Sequence, residues 1–177
     1  MELALDGRPY VADTSAWAQR RSAGDAWSQS LQAGQIWITP VVKLELLYST
    51  RDSADFTALE GRLDQMREAH LDRTVVRAAV AALRELAAQG PLHHRVPITD
   101  ALIAAAAAER GLGVLHYDEH FDRLATVLAF ESRWIVARVR LSGWSARACR
   151  WRRRRAARRR SSFKGRCCLC SPAADDP

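Results

Sequence analysis

The stretch PYVADTSAW, residues 9–17, places a carboxylate directly after a short apolar run. Tyr10, Val11 and Ala12 are typical of a parallel strand, which is covered on both of its faces. Asp13 follows at the point where such a strand reaches the surface. Ligands of open α/β sheets bind outside the carboxyl ends of the strands. The stretch therefore predicts a buried strand that carries an acidic group to the rim of a cleft.

Strands and helices alternate along the next 120 or so residues. Further strands are predicted at 35–38, 113–117 and 133–137. Helices are predicted from an N-cap at Ser15 to about residue 31, after Thr39, and at about 54–69, 72–89, 97–111 and 121–128. This alternation indicates an α/β fold with a central parallel sheet.

The distribution of charge divides the chain into two parts. Residues 1–138 hold 15 lysines and arginines against 18 acids, a net charge of −3, whereas residues 139–177 hold 12 against 2, a net charge of +10. All four cysteines also lie in the second part. We predict one domain, 1–138, and a disordered Arg/Cys/Trp-rich tail of low complexity, 139–177, whose arginines either bind RNA phosphates or are merely solvated.

The sequence indicates a protein without membrane association. Its longest apolar run, ALIAAAAA at 101–108, is far shorter than the roughly 20 residues that span a bilayer. The first twenty residues have no apolar segment of the kind found in signal peptides. We therefore expect a cytoplasmic protein.

Four carboxylates have contexts that suggest a site. Asp13 and Asp118 end predicted strands, Asp100 begins the alanine-rich helix, and Glu45 is expected on the apolar stripe of its helix. Each could instead be a cap, loop or solvated residue. Carboxylates in apolar surroundings require compensation, and carboxylate oxygens suit Mg²⁺ or Mn²⁺. The set together predicts a divalent-cation site.

The order and spacing of these acids resemble the four motifs of the PIN-domain nucleases, in particular the VapC-type toxins of bacterial toxin–antitoxin modules. The resemblance covers about residues 8–137. It rests on Asp13 in VADTSAW, Glu45 in VVKLELLYS, Asp100 in PITDALIAAAAAERGLGV and Asp118 in LHYDEHFDRLA. It implies a PIN-like α/β/α sandwich around the parallel sheet.

The resemblance also implies an activity. The protein would be an endoribonuclease dependent on Mg²⁺ or Mn²⁺ that cleaves tRNA or ribosomal RNA, forms a homodimer and is inhibited by a cognate antitoxin. Asp13 and Asp100 would be the principal metal ligands, and Glu45 and Asp118 would complete the acidic site. The alternative is a catalytically inactive PIN-fold protein that binds RNA or an antitoxin.

Small polar residues and histidines next to the acids have less certain roles. By resemblance, the hydroxyls of Thr14 and Ser15 support the site. His116 and His120 flank Asp118 and are interpreted as packing or surface residues, although His120 could also contact the substrate.

Overall fold

The computed structural model describes residue 5 and residues 7–136. The predicted tail, 139–177, lies outside the described residues. The strands are β1 (Tyr10–Ala12), β2 (Ile36–Trp37), β3 (Gly113–His116) and β4 (Ser132–Trp134). The helices are α1 (Thr14–Gln19), a 3₁₀ helix (Arg20–Ala23), α2 (Asp25–Gln32), α3 (Pro40–Tyr48), α4 (Ser53–Leu63), α5 (Arg73–Gln89), α6 (Ile98–Ala108) and α7 (His120–Leu124).

The four strands form one parallel sheet in the order β2-β1-β3-β4. In the register, Ala12 of β1 lies beside Leu115 of β3. The carboxyl ends of all four strands consequently meet at one edge of the sheet. Asp13 and Asp118 follow β1 and β3 at this edge, as the sequence predicts.

Side chains of β1 alternate between two hydrophobic cores, one on each face of the sheet. Val11 packs with buried residues of α3 to α7, whereas Tyr10 and Ala12 pack with residues of α1 and α2. All three are fully buried. The predicted α/β/α sandwich with a central parallel sheet is therefore confirmed.

A close approach between β1 and β3 requires a glycine. A Cβ atom at Gly113 would lie 2.3 Å from Cε1 of the Tyr10 ring. This distance is too short for any side chain, so the absence of one at Gly113 lets the ring pack across the start of β3. The buried tyrosine ring and the glycine therefore pack directly against each other where β1 pairs with β3.

The predicted helix from Ser15 to about residue 31 is wrong in two respects. Its N-cap is Asp13, whose carboxylate accepts a hydrogen bond from the Ser15 amide. The helix is also interrupted at Gly24, whose φ of 58° is in the left-handed region that favours glycine. The result is two short helices and a 3₁₀ turn.

Other predicted boundaries also shift. The helix predicted at about 54–69 ends at Leu63, because the following residues run back to the sheet and Glu68 forms a parallel bridge with Ile38. Val76 and Val80 of α5 share the helical spacing of core residues but are 48% and 51% exposed. Among the described residues, no helix has the length and apolar character needed to cross a membrane.

Candidate active site

Asp13 is a buried carboxylate at the carboxyl end of β1. It is 6% exposed, and its Oδ2 atom accepts hydrogen bonds from the Ser15 amide at 2.9 Å and from the Ser15 hydroxyl at 2.6 Å. Burial raises the pKa of the Asp13 carboxyl; the Ser15 hydrogen bonds oppose this, and the charge of Glu45 adds to it. Among the described residues, burial is thus the main influence on the Asp13 carboxyl, and it favours the neutral form.

The Ser15 hydroxyl joins the ends of the two central strands. It donates to Asp13 and accepts from the Tyr117 amide, at 2.8 Å from Oγ to N. The Tyr117 amide lies one residue before Asp118. One side chain thereby fixes the Asp13 carboxylate relative to the segment that carries Asp118, so Ser15 makes the supporting contacts expected of it.

Glu45 lies near Asp13 but not where the helical pattern places it. Its side chain is exposed, and its neighbours Leu44 and Tyr48 are each 68% exposed. The interpretation of Glu45 as a carboxylate in apolar surroundings is therefore wrong, and its alternative, a solvated helix residue, is the one observed. Glu45 instead accepts a hydrogen bond from the Thr14 hydroxyl at 2.5 Å and raises the pKa of Asp13. Helix α3 thus holds the exposed side chain of Glu45 near Asp13.

Asp100, Asp118 and His120 form a second group of side chains. Asp100 is 6% exposed in the first turn of α6. His120 Nδ1 lies 3.2 Å from Asp100 Oδ2 and 3.0 Å from Asp118 Oδ1. The His120 amide also donates to Asp118 Oδ1 at 3.1 Å. One ligand atom from each of the three residues lies within 4.8 Å of the others.

The structure thus organises the four predicted acids as two pairs. Asp13 and Glu45 are joined through Thr14 and Ser15, whereas Asp100 and Asp118 are joined through His120. Asp13 is not part of the three-residue group, so its pairing with Asp100 as a metal ligand remains a prediction. His120, interpreted as a packing or surface residue, contacts both acids, and the alternative that it contacts the substrate remains a prediction. Its position two residues after Asp118, at the start of a helix, was the available signal.

His116 is buried beneath the Asp118 segment. It is 0% exposed, and its Nδ1 atom accepts the Asp118 amide at 3.2 Å. Its Nε2 atom lies 2.7 Å from Ser132 Oγ, which donates to Asp122 Oδ1 at 2.7 Å. This pattern requires the proton on Nε2 of a neutral ring. Burial lowers the pKa of His116 to about 4, which favours the same neutral form.

A groove of about 990 Å³ lies between the α1–α2 segment and helices α3 and α4. Its walls include Trp17, Leu46 and Met66. We name it the arginine groove, because it is also lined by four exposed arginines, Arg20, Arg21, Arg62 and Arg67. It therefore combines apolar walls with a positively charged rim.

The donor atoms at the carboxyl edge fit a divalent cation. Carboxylates are hard ligands suited to Mg²⁺ and Mn²⁺, and Mg²⁺ needs only one or two of them when it also binds a phosphate. Burial raises the pKa of Asp13, so its charged carboxylate is poorly solvated. A cation at this edge would stabilise the charged form.

The chain matches the PIN domain over residues 10–127 and belongs to the PIN-domain family. The acids after β1 and β3 and at the start of α6 agree with this family. The chain is similar to the ribonuclease VapC18 of Mycobacterium tuberculosis. The two are 41% identical over 132 residues, which cover 73% of this chain and 96% of that relative. It is also 37% identical to the ribonuclease VapC51 of the same organism over 98 residues, which cover 55% and 70% of the two chains. The resemblance to VapC-type PIN-domain nucleases is confirmed.

Solved structures share the fold at lower identity. VapBC-5 from Mycobacterium tuberculosis, a toxin–antitoxin system, has 24% identity and a TM-score of 0.53 over 71% of this chain and 98% of that chain. A DNA-bound VapBC from Salmonella typhimurium has 17% identity and a TM-score of 0.58 over 73% and 99%. At these identities the likeness establishes the fold alone.

Proposed function

We propose that this protein is a toxic endoribonuclease of a toxin–antitoxin system that hydrolyses phosphodiester bonds of cellular tRNA or ribosomal RNA in the cytoplasm with Mg²⁺ or Mn²⁺. The observation that carries the proposal is the group of Asp100, Asp118 and His120 beside the parallel sheet of a PIN-family chain, whose central strand β1 ends at Asp13 and lies next to β3. Relatives named ribonucleases support the activity.

Asp13 and Asp100 are proposed as the principal cation ligands, with Glu45 and Asp118 completing the site. A bound divalent cation polarises a phosphate oxygen and lowers the pKa of water. The protein's part is to hold the carboxylates rigidly before the substrate arrives. Ser15 fixes Asp13 through its hydroxyl, and His116 fixes the backbone amide of Asp118. The exposed side chain of Glu45 would contact the substrate or the attacking water.

We propose that the cognate antitoxin inserts an amphipathic acidic segment into the arginine groove. The apolar walls fit a peptide with apolar side chains, and the four arginines fit carboxylates beside them. VapBC-5, a toxin–antitoxin system with the same fold, supports an antitoxin as the partner. Because Trp17 of the groove lies one helical turn after Asp13, a segment bound here would reach the acids.

We propose a homodimer that covers the exposed apolar side chains of α3. Leu44 and Tyr48 are both 68% exposed, and large apolar side chains in such a cluster are typical of interfaces. A second copy of this chain would bury them. Glu45 lies between them in sequence, so the interface would lie next to the site.

The nuclease proposal is tested with the purified full-length chain and total cellular RNA in Mg²⁺, Mn²⁺ or EDTA. We expect discrete cleavage products with either ion and none in EDTA. Asp100→Asn should abolish cleavage, and the matched control Asp25→Asn, an exposed position in α2, should not. A folded wild-type chain that binds the cation but leaves RNA intact would instead support the inactive binding protein.

A further inference from the structure

We propose that His120 is a nitrogen ligand of the cation, and that it directs the site toward Mn²⁺ and other borderline first-row ions over Mg²⁺. This inference rests on the proposed function, because it concerns the same cation. It adds a ligand outside the four acids, and it assigns a preference among metals that the acids alone do not determine.

The geometry supports the assignment because His120 lies between two proposed carboxylate ligands. Its Nδ1 atom is 3.2 Å from Asp100 Oδ2 and 3.0 Å from Asp118 Oδ1. Its side chain is 28% exposed, so it contacts the two acids from a position partly shielded from solvent. One nitrogen and two oxygens within 4.8 Å of one another can bind a single ion.

The backbone also places the imidazole there. The His120 amide donates to Asp118 Oδ1 at 3.1 Å, and His120 is the first residue of α7. Phe121, the next residue, is fully buried in the core, which anchors this helix. The ring of His120 is therefore positioned by the same turn that orients the Asp118 carboxylate.

The ligand chemistry determines which ions benefit. Mg²⁺ is a hard cation that favours oxygen and gains little from an imidazole nitrogen. Affinity of mixed nitrogen and oxygen sites rises along the first-row series from Mn²⁺ to Co²⁺ and Ni²⁺. An imidazole that binds as a neutral ligand also adds no negative charge, so the electrostatic attraction for Mg²⁺ stays that of the carboxylates alone.

The test measures binding directly on the full-length chain, without RNA. Calorimetric titrations with Mn²⁺, Co²⁺ and Mg²⁺ are compared for wild type, His120→Asn and the matched control His94→Asn, an exposed histidine in the loop after α5. We expect His120→Asn to weaken the binding of Mn²⁺ and Co²⁺ about tenfold or more, and the binding of Mg²⁺ by much less. His94→Asn should change none of them.

Pulsed electron paramagnetic resonance of the Mn²⁺-loaded chain provides a second measurement. Modulation from a directly bound ¹⁴N should be present in wild type and in His94→Asn and absent in His120→Asn. Two results would overturn the role of His120 and leave the proposed nuclease intact. One is an equal loss of Mg²⁺ and Mn²⁺ affinity in His120→Asn, and the other is bound Mn²⁺ without ¹⁴N modulation in the wild type. A folded wild type that binds none of the three ions would overturn both proposals.

Discussion

The buried imidazole of His116 accepts the backbone amide of Asp118, with 3.2 Å between Nδ1 and N. Asp118, which follows β3, is therefore oriented by His116, a buried side chain of that strand. The Nε2 side of the same ring meets Ser132 of the adjacent strand β4, 2.7 Å away. Two neighbouring strands thus share the task of positioning Asp118, and that task requires the neutral ring.

Stability should fall in mild acid because of His116. Its pKa is lowered to about 4 in the folded chain from 6.5 in the unfolded chain, so only the unfolded chain takes up this proton between these values. The contribution of His116 to the free energy of unfolding is about 3 kcal/mol in total. It is fully present above pH 6.5 and is lost as the pH falls to about 4. Urea unfolding at a series of pH values measures the slope. His116→Asn should lose most of it, and His94→Asn should retain it.

Asp13→Asn should increase the stability of the fold and abolish RNA cleavage. Asparagine keeps an oxygen acceptor for the Ser15 amide and hydroxyl. It removes the buried negative charge of Asp13, whose carboxyl has a raised pKa. We expect the free energy of unfolding at pH 7 to rise by about 1 kcal/mol and metal-dependent RNA cleavage to be lost. Calorimetric unfolding and the cleavage assay check the two parts. A variant both less stable and inactive would contradict the account of a poorly solvated carboxylate.

Ser15→Ala should weaken both the fold and the site. It removes the donor to Asp13 and leaves the Tyr117 amide without the acceptor seen 2.8 Å away. An unsatisfied amide and a lost bond to a carboxylate cost about 1–3 kcal/mol. We expect that decrease in unfolding free energy together with a lower kcat at saturating cation. Ser22→Ala, at an exposed position of the 3₁₀ helix, is the control and should change neither quantity.

Charge reversal in the arginine groove should free the toxin from its antitoxin. Arg20→Glu with Arg62→Glu replaces attraction for an acidic segment with repulsion. Cells that co-express this variant with the cognate antitoxin should stop growing, whereas cells with the wild-type pair should grow. Arg73→Glu with Arg84→Glu, two exposed positions of α5, is the matched control. Neutralisation of the groove variant at wild-type strength would place the antitoxin elsewhere.

The exposed apolar side chains of α3 predict the oligomeric state. Leu44→Glu places a charge within the proposed dimer interface and should yield monomers in light scattering after size-exclusion chromatography. Val80→Glu, on the half-exposed side of α5, tests whether that helix shares the interface. A dimer that survives Leu44→Glu would exclude α3 as its contact surface.

The position of the acidic edge could be predicted from sequence because it depends on local rules. A buried strand followed by a carboxylate, repeated at Asp13 and Asp118, indicates one edge of a parallel sheet whatever the details of packing. The surroundings of Glu45 depend instead on which side of α3 the rest of the protein covers. Helical spacing identifies an apolar side but not whether the same chain buries it, and Leu44 and Tyr48 are exposed.

The role of His120 depends on a contact that spacing cannot reveal. Asp100 is twenty positions away in the sequence and reaches the imidazole only because α6 and α7 pack together. The break at Gly24 has a local cause, yet the surrounding pattern remains helical, so a glycine with positive φ could not be distinguished from one tolerated within a helix. Tertiary packing therefore decided the role of His120, whereas the helical pattern around Gly24 concealed a local break.

The hydrogen bond between the Tyr117 amide and the Ser15 hydroxyl spans 102 positions of the chain. During translation, Asp13 and its serine leave the ribosome long before the residues that complete their setting. Asp100, Asp118 and His120 come from that same late segment. A growing polypeptide therefore cannot bring Asp13 together with this late segment until nearly the whole described domain has been synthesised.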